Sequence, residues 1–155
     1  MRKIYFDACC INRLTDDQAQ ERIRKGADAI ETLLSLVSSG SLVWAGGNIL
    51  ELEIKRNPDP ERRNDAAAML RFSSEPVNPG EIIRSRSRAL HALGYGAFDA
   101  LHLACAEQAR VDVFLTTDDR LLRKAHRKIG SPTIRVENPV SLVQEWNQRD
   151  TSRDE

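Results

Sequence analysis

Apolar residues recur along this chain in two distinct patterns. From Asp17 to about Ser38, the positions Ile23, Ala27, Ile30, Leu33, Leu34 and Val37 return at intervals of three and four. That spacing places them on one face of a helix, and Gly40 marks its stop. Short continuous runs behave differently. Ile4-Tyr5-Phe6, Leu42-Val43-Trp44-Ala45, Val111 to Thr117 and Thr133 to Val136 are too short for helices and read as buried strands. Further helices fall between them. Gly46-Gly47-Asn48 breaks the second strand and opens a helix of roughly Asn48 to Lys55. Asp59 as cap and Pro60 at the first position start another, running to about Phe72. Pro76 and Pro79 bracket a short extended piece. Gly80 to Leu93 is helical and is ended by Gly94-Tyr95-Gly96. Phe98 to Ala109 is rich in alanine and apolar nearly all round, so it belongs in the interior. Asp118 to Ile129 and Pro139 to Asn147 complete the set.

Strands alternating with helices predict an α/β fold, with a mostly parallel sheet covered on both faces. With 155 residues the chain makes one domain, assigned to residues 1–148, and residues 149–155 read as a disordered C-terminal tail. No apolar run approaches the roughly 20 residues needed to cross a bilayer, and the start carries too few apolar residues for a signal peptide. A cytoplasmic, membrane-free location is the resulting expectation. Cys9, Cys10 and Cys105 make a poor disulfide framework, and His91, His102 and His126 lack zinc-site spacing. The 23 acidic and 23 basic residues cancel, so no general attraction to nucleic acid is expected. The densest basic cluster, Arg120, Arg123, Lys124, Arg127 and Lys128, reads first as the solvated face of a helix.

Ligands of open parallel sheets gather beyond the carboxyl ends of the strands. Four segments bring acids to that edge. Asp7 ends the first strand, Asp118 follows Val113-Phe114-Leu115-Thr116, Asp99 opens the buried helix, and Glu51 and Glu53 lie just after the second strand. Asp118 or Asp119 has a ready structural task as a helix cap, and Asp99 stands near a helix start. Asp7 is harder to dismiss, because a carboxylate directly after a buried strand has no routine structural role. Several carboxylates together repel, and a divalent cation relieves that repulsion. Hard oxygen donors suit Mg2+ or Mn2+, and such a site promotes in-line displacement at phosphorus.

Ile4-Tyr5-Phe6-Asp7, Leu50-Glu51-Leu52-Glu53, Asp99-Ala100-Leu101-His102-Leu103-Ala104 and Leu115-Thr116-Thr117-Asp118 occur in that order. With those motifs the chain resembles the PIN-domain ribonucleases, including toxins of VapC-type toxin–antitoxin pairs, from about Lys3 to Leu142. The resemblance implies a three-layer α/β/α sandwich with an acidic pocket. It also implies a metal-dependent endoribonuclease that cleaves RNA to leave 5′-phosphates, a homodimer, and an antitoxin protein as partner. Carried over by motif, Asp7, Asp99 and Asp118 would be catalytic metal ligands. The fourth acid is Glu53, with Glu51 as the alternative; the two lie about 200° apart around a helix, so only one can face the pocket. The chain departs from the family's pattern after Asp7, where Ala8, Cys9 and Cys10 stand in place of a Thr or Ser. Asn12 and Thr116 are the candidates for polar support, with a turn or helix start as the other reading of Asn12. Cys9 and Cys10 read as small packing residues, and His102 as packed and hydrogen-bonded. The competing reading is a catalytically degenerate PIN-like module that binds RNA or protein. A haloacid-type phosphatase would need D-x-D where this chain has Asp7-Ala8-Cys9.

Overall fold

Five strands form the sheet: β1 (Arg2–Phe6), β2 (Leu42–Gly47), β3 (Ser74–Val77), β4 (Val113–Leu115) and β5 (Arg135–Glu137). Their order is β3-β2-β1-β4-β5, and every neighbouring pair is parallel. The computed structural model describes residues 2–153, with the side chains at 47–48, 75–76 and 150–153 outside the description. Along the central strands the side chains alternate between two cores. Ile4 and Phe6 join Trp44, Val113 and Leu115 on one face, while Tyr5 joins Ala45 and Phe114 on the other. Burial on both faces is why these strands read as continuous apolar runs.

Among the described residues the helices are α1 (Ala8–Arg13), α2 (Glu21–Ser38), α3 (Asn48–Lys55), α4 (Pro60–Met69), α5 (Glu81–Ala92), α6 (Ala97–Gln108), α7 (Asp119–His126) and α8 (Pro139–Arg153). Ile11 of α1, Ile30 and Leu33 of α2 and Leu142 of α8 fill the first core. Ile83 and Leu90 of α5, Leu103 of α6 and Leu121 of α7 fill the second. The result is the expected three-layer α/β/α sandwich. Helix α3 reaches both cores, sending Leu50 and Ile54 to the first and Ile49 to the second. Glu53 therefore rides on an element wedged at the sheet's edge.

Local chemistry explains the boundaries. Asp59 accepts from the backbone N–H groups of Glu61 and Arg62, with Pro60 inside the first turn, and such a cap contributes about 1 kcal/mol. Helix α2 stops at Gly40, whose φ of 84° lets Ser41 N reach Leu36 O and Gly40 N reach Val37 O. Some expectations are corrected. Helix α1 was not anticipated, because six residues following a strand give no legible period. Helix α2 begins at Glu21, not at Asp17. Helix α8 continues past Asn147 to Arg153, and residues 154–155 lie outside the described residues. The proline-bracketed piece is β3, a strand at the sheet edge, where a missing N–H is tolerated.

The strand order sets the place of the site. From β1 the chain winds outward to β2 and β3 on one side, then crosses to β4 and β5 on the other. The carboxyl ends of β1 and β4 thus flank a topological switch point, where the layers diverge and a crevice opens. None of the described helices is long and apolar enough to cross a membrane.

Candidate functional site

The crevice begins where Phe6 pairs with Leu115, and Asp7 N donates to Leu115 O at 3.1 Å. Asp7 is then the N-cap of α1, its Oδ1 accepting from Cys10 N at 3.2 Å. This corrects the expectation that an acid after a buried strand lacks a structural task. The cap leaves Oδ2 for Thr116, whose hydroxyl donates to it at 2.5 Å. The same hydroxyl oxygen accepts from Asp118 N at 3.0 Å. One threonine therefore ties the acid ending β1 to the acid following β4. Asp118 caps α7, its Oδ1 accepting from Arg120 N at 2.9 Å, while Asp119 turns outward to Arg22 at 2.6 Å.

The hydroxyl missing after Asp7 has a substitute. Ala8 is buried, and the thiol of Cys9 donates to Asp7 Oδ1 at 2.6 Å while Thr117 N donates to its sulfur at 3.4 Å. Against expectation Cys9 is therefore more than a packing residue, whereas Cys10, fully buried with its thiol on Leu115 O, is one. Burial pushes the Asp7 carboxyl well above the usual carboxylate range, while hydrogen bonding, from Cys10 first, pulls the Cys9 thiol down to about 5; the two share one proton, and the charges of Cys9 and Asp99 raise Asp7 further. The Thr116 hydroxyl opposes them.

Asp99 sits in the first turn of α6, behind the cap residue Gly96. A Cβ at Gly96 would stand 3.1 Å from Asp99 Oδ2, so glycine makes room for the carboxylate. Among the described residues no hydrogen bond or ion pair reaches Asp99. Burial raises its pKa to about 6, and the charges of Asp118 and Glu53 act in the same direction.

Of the two glutamates, Glu53 faces α6 and Glu51 faces solvent. Glu53 Oε2 lies 2.5 Å from His102 Nε2, whereas Glu51 pairs with Lys55 at 2.9 Å. His102 is wholly buried, and its Nδ1 lies 2.7 Å from the hydroxyl of Tyr5. The four predicted acids thus gather around one crevice, though not in direct contact. Among the described residues only Asp7, Cys9 and Cys10 bring three potential ligand atoms within 4.8 Å of one another. Asp118 and Glu53 act on Asp99 through their charges.

Beside the acids lies a cleft of about 510 Å³ lined by Cys9, Asn12, Glu53, Arg13, Arg56 and Arg62. Asn12 belongs to the last turn of α1, which removes the turn and helix-start readings, and its Oδ1 is buried without a partner. Arg56 lies over the Phe98 ring at 5.4 Å, and Arg62 is held by Asp16 and by the Thr15 hydroxyl at 3.0 Å. A neighbouring cleft joins Asp118 to Arg22, Arg120 and Arg123. The basic cluster on α7 is therefore split, part solvated face and part crevice wall. Lys124 instead reaches Gly94 O over the Tyr95 ring.

The sequence reading missed Cys9 and the role of Tyr5. A polar tip on an apolar strand residue was the available signal for Tyr5, since buried hydroxyls find partners. The family model described as PIN domain matches residues 4–127, about four-fifths of the chain. No curated protein matches the chain.

Proposed function

The chain belongs to the PIN-domain family, whose members are generally nucleases, and from that premise we propose that it is a metal-dependent endoribonuclease. The observation that carries this reading is the Asp7–Thr116–Asp118 bridge at the switch point, with Glu53 and Asp99 in the same electrostatic field. The donor set fits a hard divalent cation. Asp7 and Asp99 are carboxyl groups whose ionised forms are disfavoured by burial and by neighbouring acids, and no lysine or arginine neutralises either among the described residues. Asp7, Glu53, Asp99 and Asp118 would hold Mg2+ or Mn2+. When bound, such an ion supplies positive charge against a phosphoryl oxygen and lowers the pKa of water.

The chain's own residues do the rest. Thr116 and the α1 cap fix the Asp7 carboxylate on both oxygens, and the α7 cap fixes Asp118. Arg13, Arg56 and Arg62 line the cleft that holds Glu53, and Arg120 and Arg123 line the neighbouring cleft that holds Asp118. Guanidinium groups there would grip the RNA backbone, and binding would weaken as salt rises. Purified protein should cleave RNA only with Mg2+ or Mn2+. Asp7→Asn and Asp118→Asn should abolish cleavage while keeping their helix caps, because asparagine caps about as well as aspartate. Equal activity in the wild type and both variants would remove the mechanism.

A second reading is a degenerate PIN-like module that binds RNA or protein without cleaving. What favours it is that, among the described residues, the ligand atoms gathered within 4.8 Å of one another include a single carboxylate, that of Asp7. Weak Mn2+ binding together with RNA retention and no cleavage would select it. The nuclease reading also makes the chain a candidate toxin, acting as a homodimer and silenced by an antitoxin over the groove beside α1 and α3. Co-expression with the product of the adjacent reading frame should then give a complex without ribonuclease activity.

A further inference from the structure

Asp7 and Asp118 are held by helix caps and Thr116, whereas Glu53 is anchored from within the core. Three side chains run in file from the sheet to the site: the Tyr5 hydroxyl 2.7 Å from His102 Nδ1, and His102 Nε2 at 2.5 Å from Glu53 Oε2. Tyr5 is 1% exposed and His102 is 0% exposed, so both lie out of reach of bulk solvent. Among the described residues the Tyr5 hydroxyl has no other partner. A phenol holds its proton at neutral pH, and that proton needs an acceptor. Only the ring nitrogen Nδ1 can be that acceptor, and it must carry no proton. With Nδ1 accepting, the protonated ring nitrogen is Nε2, aimed at the carboxylate.

We propose that Tyr5 and His102 are positioning residues for Glu53. Tyr5 sets the tautomer of His102, and His102 commits one oxygen of Glu53 to a fixed hydrogen bond. The other oxygen is left for the cation. Tyr5 lies on β1, two residues before Asp7, so the strand that leads into the first acid also holds the inner end of the file. Phe98 packs against His102 with ring centroids 6.5 Å apart, and Tyr5 stacks on Phe114 at 5.5 Å, so neither ring can turn freely. Outer partners that orient a ligand in this way typically change metal affinity by about 10- to 100-fold when removed.

The proposal rests on the metal-site reading, and its test separates the two. In metal-free protein, long-range nitrogen–proton NMR should show the His102 ring protonated at Nε2; the signal is assigned by its loss in His102→Gln. A proton on Nδ1 overturns the proposal without reference to metal. The double variant Tyr5→Phe/His102→Leu removes both polar partners together, so it should fold with little loss of stability. It should bind Mn2+ about 10- to 100-fold more weakly than wild type. His102→Gln, which keeps a donor toward Glu53, should recover part of that affinity. Unchanged Mn2+ affinity in a folded double variant overturns the positioning role alone. No Mn2+ binding by the wild type overturns the metal-site reading, and the positioning role with it.

Discussion

Helix α6 carries an acid near each end, and the fold treats them oppositely. Glu107, in the last turn, receives Arg86 Nε at 2.9 Å and Nη2 at 3.2 Å, and also Thr133 N at 2.9 Å and its hydroxyl at 3.1 Å. Asp99, in the first turn, receives no such donor among the described residues and instead shares the field of Asp118 and Glu53. The helix dipole cannot be the reason, because it favours a carboxylate at the end where Asp99 stands. A half-buried acid with a structural task comes with donors matched to its oxygens. An acid left among other acids has no such donor, and on the proposed reading a cation would complete it.

Exchanging each acid tests that difference most severely. Asp99→Asn should lower metal-dependent RNA cleavage by about 10²–10³-fold, the scale on which one electrostatic contact to a transition state acts. Glu107→Gln should leave cleavage by folded protein unchanged, as activity per active molecule would show. Stability should move the other way. Glu107→Ala strands Arg86 and should cost about 2 kcal/mol in denaturant melts, below the roughly 3–5 kcal/mol of a fully buried pair because Arg86 is partly exposed. A loss of activity matching that of Asp99→Asn would erase the contrast between the two ends.

The sign of the pH response sharpens it. Asp99 holds a proton more tightly folded than unfolded, so protonation stabilises the metal-free protein below the ordinary aspartate range. That stability is lost as pH rises through about 6. Asp99→Asn should therefore raise metal-free stability at about pH 8, by about 1 kcal/mol after allowing for solvent screening, and the gain should vanish toward about pH 4. Thermal melts at the two pH values check this, and destabilisation at the higher pH would mean that Asp99 already has a partner. The smallest effect belongs to Glu51, whose pairing with Lys55 is exposed. Glu51→Gln should change stability by less than about 0.5 kcal/mol and leave cleavage untouched.

Much of this was legible in residue order. Apolar runs marked the strands because both faces of the sheet are covered, and the acids fell at strand ends because α/β connections return there. Glu53 could be preferred over Glu51 by counting, but which of them faces α6 depends on α3 reaching both cores, and that is a tertiary fact. Helix α1 escaped because six residues show no period. The bond from Cys9 to Asp7 escaped because a thiol two residues after a carboxylate meets it only when a cap bends the chain back. Tyr5 and His102 are 97 residues apart, and nothing local announces that they share a proton.

The most direct measurement is a calorimetric titration of Mn2+ into the wild-type protein and into Asp99→Asn at about pH 7.5. The account predicts saturable binding by the wild type and binding at least about tenfold weaker in the variant. No binding by the wild type, or equal binding by both, would contradict it.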